Sequence, residues 1–373
     1  MARILILASI SKAFRNFSFE LLEALRAARS EVVISIPDDP VNADFEAIGC
    51  RVIPSPLNRH GMNPLAELRL LGEYFHLLRE IRPDVVMTYT IKPNLYGGIA
   101  ARWCGIPFLS TVTGLGTVFF NESLPNKVIR AGLKYSLRGA GALIFQNKAN
   151  MQRLIADGFV AGPHRLVPGS GVNLTKHSLL PFPADDGKIR FLMPARAQIE
   201  KGALEYIAAA ETIRREYPEC EFHFAGLDEE PETAAKLQDA HEKGIIIKHG
   251  FLQFDAMRER MKSIQAVVLP SYHEGMSNVM LEGAAAGRVL LASDIPGCRE
   301  TIRDGETGYL FTSRSAEALT DALRRFLNEK RETRQAMGLA GRAYVEQHFN
   351  REHVVAAYLE ELTRLISLST RCE

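Results

Sequence analysis

The chain carries almost none of the residue patterns that announce metal, disulfide or membrane-spanning chemistry. Its five cysteines stand at 50, 104, 220, 298 and 372 with no Cys-x-x-Cys pair, which excludes a zinc cluster and gives no disulfide framework. No His-Glu-x-x-His occurs and the ten histidines are scattered, so no zinc hydrolase is read here. No apolar run approaches the ~20 residues that a membrane span needs. Residues 1–7 lack the charge and cleavage pattern of a signal peptide. Between Ala8 and Phe17 there is no glycine, so the Gly-x-Gly-x-x-Gly of nicotinamide-dependent oxidoreductases is missing. The expectation is a reduced, cytoplasmic chain without a metal.

What is present supports two full cores: 373 residues, 46% of them apolar. Net charge is only +1, but residues 1–173 carry 19 basic and 13 acidic groups while 174–373 carry 26 and 31. The first half therefore suits an anionic partner. Short apolar runs alternate with longer helical patterns, as in βαβ units and parallel sheets. The first half reads as strands at 3–8, 31–36, 85–88, 108–112, 142–145 and 165–167, with helices notably at 64–80, 95–103, 126–138 and 148–157. A turn-rich stretch, 168–187, is the linker candidate. The second half reads as strands at 189–193, 221–225, 245–248, 266–269 and 289–292 with helices between them, and as helix from 316 onward. The fold class is α/β: two Rossmann-like domains facing a central cleft, 1–173 and 174–350, with 351–373 a helix packing back toward the first.

The most informative element is Glu274-Gly275-Met276-Ser277-Asn278, which leads to Glu282. It directly follows the apolar run 266–269 and the Pro270-Ser271 strand end. Two acids eight apart are commonly solvated surface groups. Here the first lies in a loop after a strand and the second on the next helix, where open α/β sheets bind ligands. A helix start also favours an anionic phosphate. Upstream, Arg196-Ala197-Gln198-Ile199-Glu200-Lys201-Gly202 leaves another strand; Arg supplies a bidentate phosphate contact and Lys a mobile point charge. Gly226 and the Gly250-Phe251 pair end further strands. Gly297-Cys298-Arg299-Glu300 and Asp304-Gly305-Glu306-Thr307-Gly308-Tyr309 follow.

In this order the residues resemble the retaining GT-B glycosyltransferases of the large family four, or group 1. That family's pattern runs Arg-x4-Lys-Gly, then Glu-Gly-x6-Glu after Pro-Ser, then Gly-Cys-x-Glu and an Asp-Gly-x-x-Gly-Tyr turn. The resemblance implies that Arg196 and Lys201 neutralise the diphosphate leaving group and that Glu282 holds the ribose hydroxyls. It implies that Glu274 contacts the donor sugar, with Glu274, Arg196 and Lys201 the catalytic set. Gly275, Met276, Ser277, Asn278, Gly226 and Phe251 complete the donor site. Retention is ascribed in the family to same-face attack, with cationic side chains replacing a divalent metal; a double displacement on a carboxylate is the older view. No cofactor and no metal are expected beyond the nucleotide sugar itself.

The first half resembles the branch that extends sugars on undecaprenyl-diphosphate carriers, such as bacterial N-acetylgalactosaminyltransferases. Its motifs are Arg59-His60-Gly61-Met62-Asn63-Pro64, Thr90-Ile91-Lys92-Pro93-Asn94 and Thr113-Gly114-Leu115-Gly116. The likeness offers Arg59, Lys92 and Asn94 to the acceptor. Ile91 stands where many members have histidine, and that role is not transferred to His60. The expected partners are a nucleotide sugar, UDP favoured over GDP and N-acetylgalactosamine favoured as the sugar, and a polyprenyl-diphosphate-linked acceptor. No nucleic acid is expected. Lys127, Arg130, Lys134 and Arg138 recur at helical spacing among apolar neighbours, the pattern of a basic amphipathic helix lying on anionic lipid. Phe119 and Phe120 read as membrane wedges or as core. The location expected is peripheral, on the inner face of the plasma membrane. A nucleotide-sugar epimerase is the nearest rival class; it needs neither the paired glutamates nor a basic helix. A non-catalytic binding protein would tolerate loss of Arg196, Lys201 or Glu274, and none is lost.

Overall fold

The computed structural model describes residues 2–58, 61, 63–115, 117–119 and 123–369. The chain divides into two compact units, one running to Ser170 and resumed from Glu352, the other Gly171–Arg351.

The first unit opens with β1 (Arg3–Leu7), α1 (Ser11–Ala27), β2 (Glu31–Ile36), α2 (Asn42–Ala47) and β3 (Arg51–Pro54). It continues through α3 (Pro64–Ile81), β4 (Val85–Tyr89), α4 (Gly98–Trp103), β5 (Phe108–Val112), α5 (Leu124–Leu137), β6 (Ala142–Phe145), α6 (Lys148–Ala156) and β7 (His164–Leu166). The strands form one all-parallel sheet in the order β3-β2-β1-β4-β5-β6-β7. Helices cover both of its faces, so its central strands are buried on both sides and read as near-continuous apolar runs.

The second unit holds β8 (Ile189–Pro194), α7 (Ala203–Glu216), β9 (Cys220–Ala225), α8 (Pro231–Glu242), β10 (Ile247–Lys248), α9 (Phe254–Met261) and β11 (Ala266–Leu269). Then come α10 (Asn278–Ala285), β12 (Val289–Ser293), β13 (Gly308–Phe311), α11 (Ala316–Asn328) and α12 (Arg331–His348). Its parallel sheet is ordered β10-β9-β8-β11-β12-β13. The final helix, α13 (Arg351–Ser369), belongs to the first unit from Glu352. There Tyr358 stacks on Tyr89 and bonds Thr111, and Arg364 donates to the Gly141 carbonyl at 2.7 Å.

Three places differ from the sequence reading. Residues 308–311, read as part of a turn, form edge strand β13, because Gly308 lets the chain close on Leu290: a Cβ there would sit 2.0 Å from its carbonyl oxygen. Strand β3 was not read; only Val52 and Ile53 are apolar in it. Residues 95–103 are not one α-helix: a π-turn spans Pro93–Gly97 before α4 begins. Side chains are unwelcome at this junction, since a Cβ on Gly98 would lie 2.0 Å from Ser136 Oγ.

In each sheet the winding direction reverses once, between β1 and β4 and between β8 and β11. Ligands of open α/β sheets bind at the carboxyl ends of such strand pairs.

Candidate active site

The loops leaving β8 and β11 carry the residues singled out by spacing. After β8 the chain makes a short 3-10 turn, Ile199–Lys201, and enters α7 through Gly202 at φ +76°. Only glycine fits there: besides the left-handed backbone, a Cβ would stand 2.1 Å from the Pro270 carbonyl oxygen. That close approach presses the β8 loop onto the β11 loop. It brings Lys201 Nζ to 2.7 Å from Glu274 Oε1, with side chains only 17% and 15% exposed. Ser271 Oγ donates to the same carboxylate oxygen at 2.8 Å. Lys201 and Glu274, 73 residues apart, therefore form one largely desolvated pair.

Arg196 is not part of that pair. Its Nη1 lies 2.8 Å from Glu229 Oε2, both side chains well exposed, and Gln198 donates to the same oxygen. An exposed pair of this kind contributes little, so the guanidinium is exchangeable toward an arriving anion, whereas Lys201 is held.

The 274–278 loop is propped from below. Ser277 is buried, caps α10 in extended conformation and donates its N–H to the Gly297 carbonyl at 3.0 Å. Gly297, at φ +85°, approaches so closely that a Cβ would meet Gly275 O at 2.7 Å. Cys298 is fully buried beneath, and burial pushes its thiol well above the ordinary range. The Gly-Cys-x-Glu motif thus supports the glutamate loop. Met276 packs at the edge of the core formed by α10 and β12, and Asn278 opens α10. Gly226 bonds Gly250 O and admits no Cβ, because Ala195 O would be 1.7 Å away. Phe251, beside it in sequence, is exposed.

Glu282 stands on α10 with its side chain 37% exposed and His177 Nε2 3.8 Å from its Oε1. Burial pushes its carboxyl up to about 7, opposed by the nearby positive charges of Arg351 and Lys176. The residues around it were not read from the sequence. Asn173 Oδ1 accepts from the Thr175 and Lys176 amides, and the resulting turn presents Lys176 and His177. Their rings and charge gather on Phe254: His177 meets it edge-on at 5.2 Å and Lys176 Nζ lies 4.6 Å above it. The Asn-x-Thr sequence after the Gly-rich linker was the available signal for the turn; nothing in it pointed at Glu282.

The acceptor residues offered by the sequence fare differently. Arg59 lies outside the described residues. Lys92 spends its three N–H donors on Asn58 O (2.7 Å), Gly61 O (2.7 Å) and Glu67 Oε1 (2.5 Å), so it ties the start of α3 to the end of β4. Asn94 is a correction: it is 4% exposed, accepts from Thr88 Oγ1 and donates to Thr111 O. Its amide is consumed inside the core, out of reach of an acceptor. At the switch between β1 and β4 stands instead a pair that the sequence did not reveal. Thr90, a β-branched residue at φ +73°, has its hydroxyl 2.6 Å from that of Ser9. Such strain on a β-branched residue is uncommon outside functional sites.

Of the basic row, Lys134 donates to Asp157 O at 2.7 Å and lies over the Phe159 ring. Arg138 donates to Gly158 O at 3.1 Å. Half of the row thus satisfies carbonyls at the C-terminal end of α6, while Lys127 and Arg130 sit further up α5. Phe119 is buried beside Phe159 as core; Phe120 lies outside the described residues.

Two doubly wound parallel sheets with such a site mark the GT-B class of α/β folds, and solved structures agree. A glycosyltransferase of Rickettsia africae superposes with a TM-score of 0.78 at 17% identity, over 98% of both chains. HepE of Anabaena, solved with UDP and glucose, gives 0.78 at 16% identity over 98% of this chain and 100% of that one. Sequence comparison narrows the class to a family. Residues 16–169 match the glycosyl transferase 4-like domain and residues 181–344 the glycosyl transferases group 1 domain. The chain is a glycosyltransferase and belongs to group 1. It is 25% identical, over 88% of its length and 90% of the relative's, to the N,N'-diacetylbacillosaminyl-diphospho-undecaprenol alpha-1,3-N-acetylgalactosaminyltransferase of Campylobacter jejuni. A UDP-Gal:alpha-D-GlcNAc-diphosphoundecaprenol alpha-1,3-galactosyltransferase of Escherichia coli is 24% identical over 79% of this chain and 76% of the relative.

Glu282 gives a pH-dependent expectation. If Glu282 holds a ribose diol, as the resemblance implies, it does so best as an ionised carboxylate accepting two hydrogen bonds, and this carboxyl is pushed up to about 7. UDP affinity is expected to fall as pH drops below that point, by up to roughly tenfold per unit. Glu282→Gln should bind more weakly and without this slope. The stability sign is opposite. A folded-state value raised from 4.5 to about 7 favours the neutral form, a contribution fully present below about 4.5 and lost as pH rises through 7. Glu282→Gln should therefore melt higher than wild type at pH 8 but not at pH 4.5. Parallel pH profiles for nucleotide affinity in both proteins would remove Glu282 from the ribose site.

Proposed function

We propose that the chain is a retaining, metal-independent transferase that moves an N-acetylhexosamine, with N-acetylgalactosamine favoured, from its UDP-sugar to a saccharide on undecaprenyl diphosphate. The observation that carries the site is the Lys201–Glu274 pair at the β8/β11 switch. In this reading Lys201 and Arg196 face the diphosphate and Glu274 faces the sugar. As the bond from C1 to the diphosphate oxygen breaks, negative charge collects on the leaving group, and a fixed Lys201 with a mobile Arg196 stabilises it. The acceptor oxygen bonds to C1 on the same face, and its proton passes to the departing phosphate oxygen. Two features favour this over a carboxylate nucleophile: Glu274 Oε1 is already engaged by Lys201 and Ser271, and its neutralised charge sits comfortably beside a diphosphate.

Substrate choice rests on the relatives. Both named transferases act on undecaprenyl-diphosphate-linked sugars, one delivering N-acetylgalactosamine and the other galactose. In this reading the enzyme works peripherally, at the inner membrane face. Among the described residues, no helix is long and apolar enough to cross a membrane.

The test is a donor screen in EDTA with UDP- and GDP-sugars and a lipid-diphosphate-linked saccharide. Transfer from a UDP-N-acetylhexosamine is expected. Transfer only from GDP-sugars would contradict the donor assignment, and interconversion of UDP-sugars without acceptor would point to an epimerase.

A further inference from the structure

We propose that the first unit seats on anionic bilayers through a face shared by α3, α4 and α5, centred on Trp103. This rests on the reading of a lipid-carried acceptor and moves the contact from the cationic row to an apolar and aromatic stripe that part of the row borders.

On α5 the outward positions are Leu124, Val128, Ala131 and Tyr135, spaced four, three and four apart. Leu124 is 75% and Val128 66% exposed. Large aliphatic side chains left this open in succession on one helix are unexpected for a surface that meets only water. The stripe leads to α4, where Trp103 is 62% exposed. Its indole N–H donates to Tyr135 Oη at 3.0 Å, and its ring stacks on Phe75 of α3 at 5.5 Å. Leu65 and Leu68, both mostly exposed, extend the same helix toward its N-terminus.

The occupant follows from chemistry and charge. Tryptophan and tyrosine with an apolar ring outward and the polar atom satisfied are the side chains that settle at a membrane–water interface. Here the indole N–H is already bonded, so the ring can enter the acyl boundary without stranding a donor. Cations border the aromatic centre: Arg102 packs over the Tyr135 ring at 4.1 Å, Lys127 is exposed on α5 and Arg138 is exposed at its end. Neither α4 nor α5 contains an aspartate or glutamate. On α3, Glu67 is paired with Lys92, Glu73 with Arg69 and Glu80 with Arg51. An apolar stripe with an aromatic centre, a cationic border and, among the described residues of these three helices, no unpaired acid suits anionic lipid headgroups.

Trp103 is the only tryptophan in the chain, so its emission reports this face alone. Titration of the full-length protein with vesicles of phosphatidylglycerol and phosphatidylcholine is expected to shift the emission to shorter wavelength. Lipids brominated near the headgroup end of the acyl chain are expected to quench it. The double variant Leu124→Ser, Val128→Ser should lose at least ~10-fold in vesicle partitioning while transferring normally to a water-soluble acceptor. Unchanged emission on vesicles that co-sediment the protein would overturn the proposal, because binding would then use another surface. A concentration-dependent shift without lipid, with dimers in sedimentation, would overturn it in favour of a second copy of this chain. Vesicle binding through Trp103 without transfer to any lipid-linked acceptor would leave this face standing and reject the acceptor assignment instead.

Discussion

Lys201→Ala is expected to lower turnover at least ~100-fold, the usual loss when a fixed charge contact to a developing anion is removed. The structure adds a second effect. Lys201 is the cation on Glu274, and both side chains are largely buried. Its removal leaves a desolvated carboxylate with Ser271 as its remaining side-chain donor, at a cost of about 1–3 kcal/mol. The two effects separate in a double variant. Glu274→Gln on top of Lys201→Ala should restore the melting temperature, since no unpaired charge remains, but not the turnover. Near-normal turnover in Lys201→Ala would sink the site assignment. Recovery of both properties together would show that the lysine acts only as structural support.

Gly202→Ala should damage both stability and turnover. A methyl group there meets the Pro270 carbonyl oxygen at 2.1 Å, and the backbone sits at φ +76°. Neither contact has a flexible partner, since both involve main chain. The β8 loop must lift off the β11 loop, at roughly 3 kcal/mol or more, and Lys201 moves away from Glu274. Loss of melting temperature should therefore accompany loss of turnover. Substitution at Gly187 is the control: it also has positive φ, but a Cβ there meets nothing within 4 Å, so Gly187→Ala should cost stability without touching catalysis. A Gly202→Ala variant with wild-type melting and wild-type turnover would show that the two loops are not held by this approach.

The most legible strands are those buried on both faces. Residues 31–36, 108–112 and 142–145 coincide with β2, β5 and β6; the last is apolar throughout, and the first two are broken only by Glu31 and Ser35 and by Ser110 and Thr111. Two of the four edge strands were hidden: β3 has two apolar residues between Arg51 and Pro54, and β13 begins on a glycine that the turn motif claims. The catalytic spacing located Arg196, Lys201 and Glu274 on strand exits, because chemistry at a switch point leaves charged residues directly after apolar runs. It did not say which cation meets which carboxylate; Glu229, which takes Arg196, lies 33 residues downstream.

One polar residue of the first unit was misplaced for a similar cause. Asn94 looks like surface chemistry in a loop, yet the π-turn folds it into the core, while Lys92 just before that turn bonds Asn58 O, Gly61 O and Glu67 Oε1. Helical spacing likewise aligned Lys134 and Arg138 with Lys127, but could not show that the end of α6 needs them. Of the apolar positions between those cations, read as surface for lipid, Val128 and Tyr135 do face outward, while Leu133 and Leu137 are buried.

The central claim is same-face transfer at the Lys201–Glu274 site without a divalent ion. It is tested most directly by the stereochemistry of the product formed from UDP-N-acetylgalactosamine and a lipid-diphosphate-linked acceptor in excess EDTA, read as the anomeric proton coupling by NMR. The account predicts an α-linked product, matching the donor, with a rate unchanged by chelation. A β-linked product, or activity that EDTA abolishes and a divalent cation restores, would contradict it.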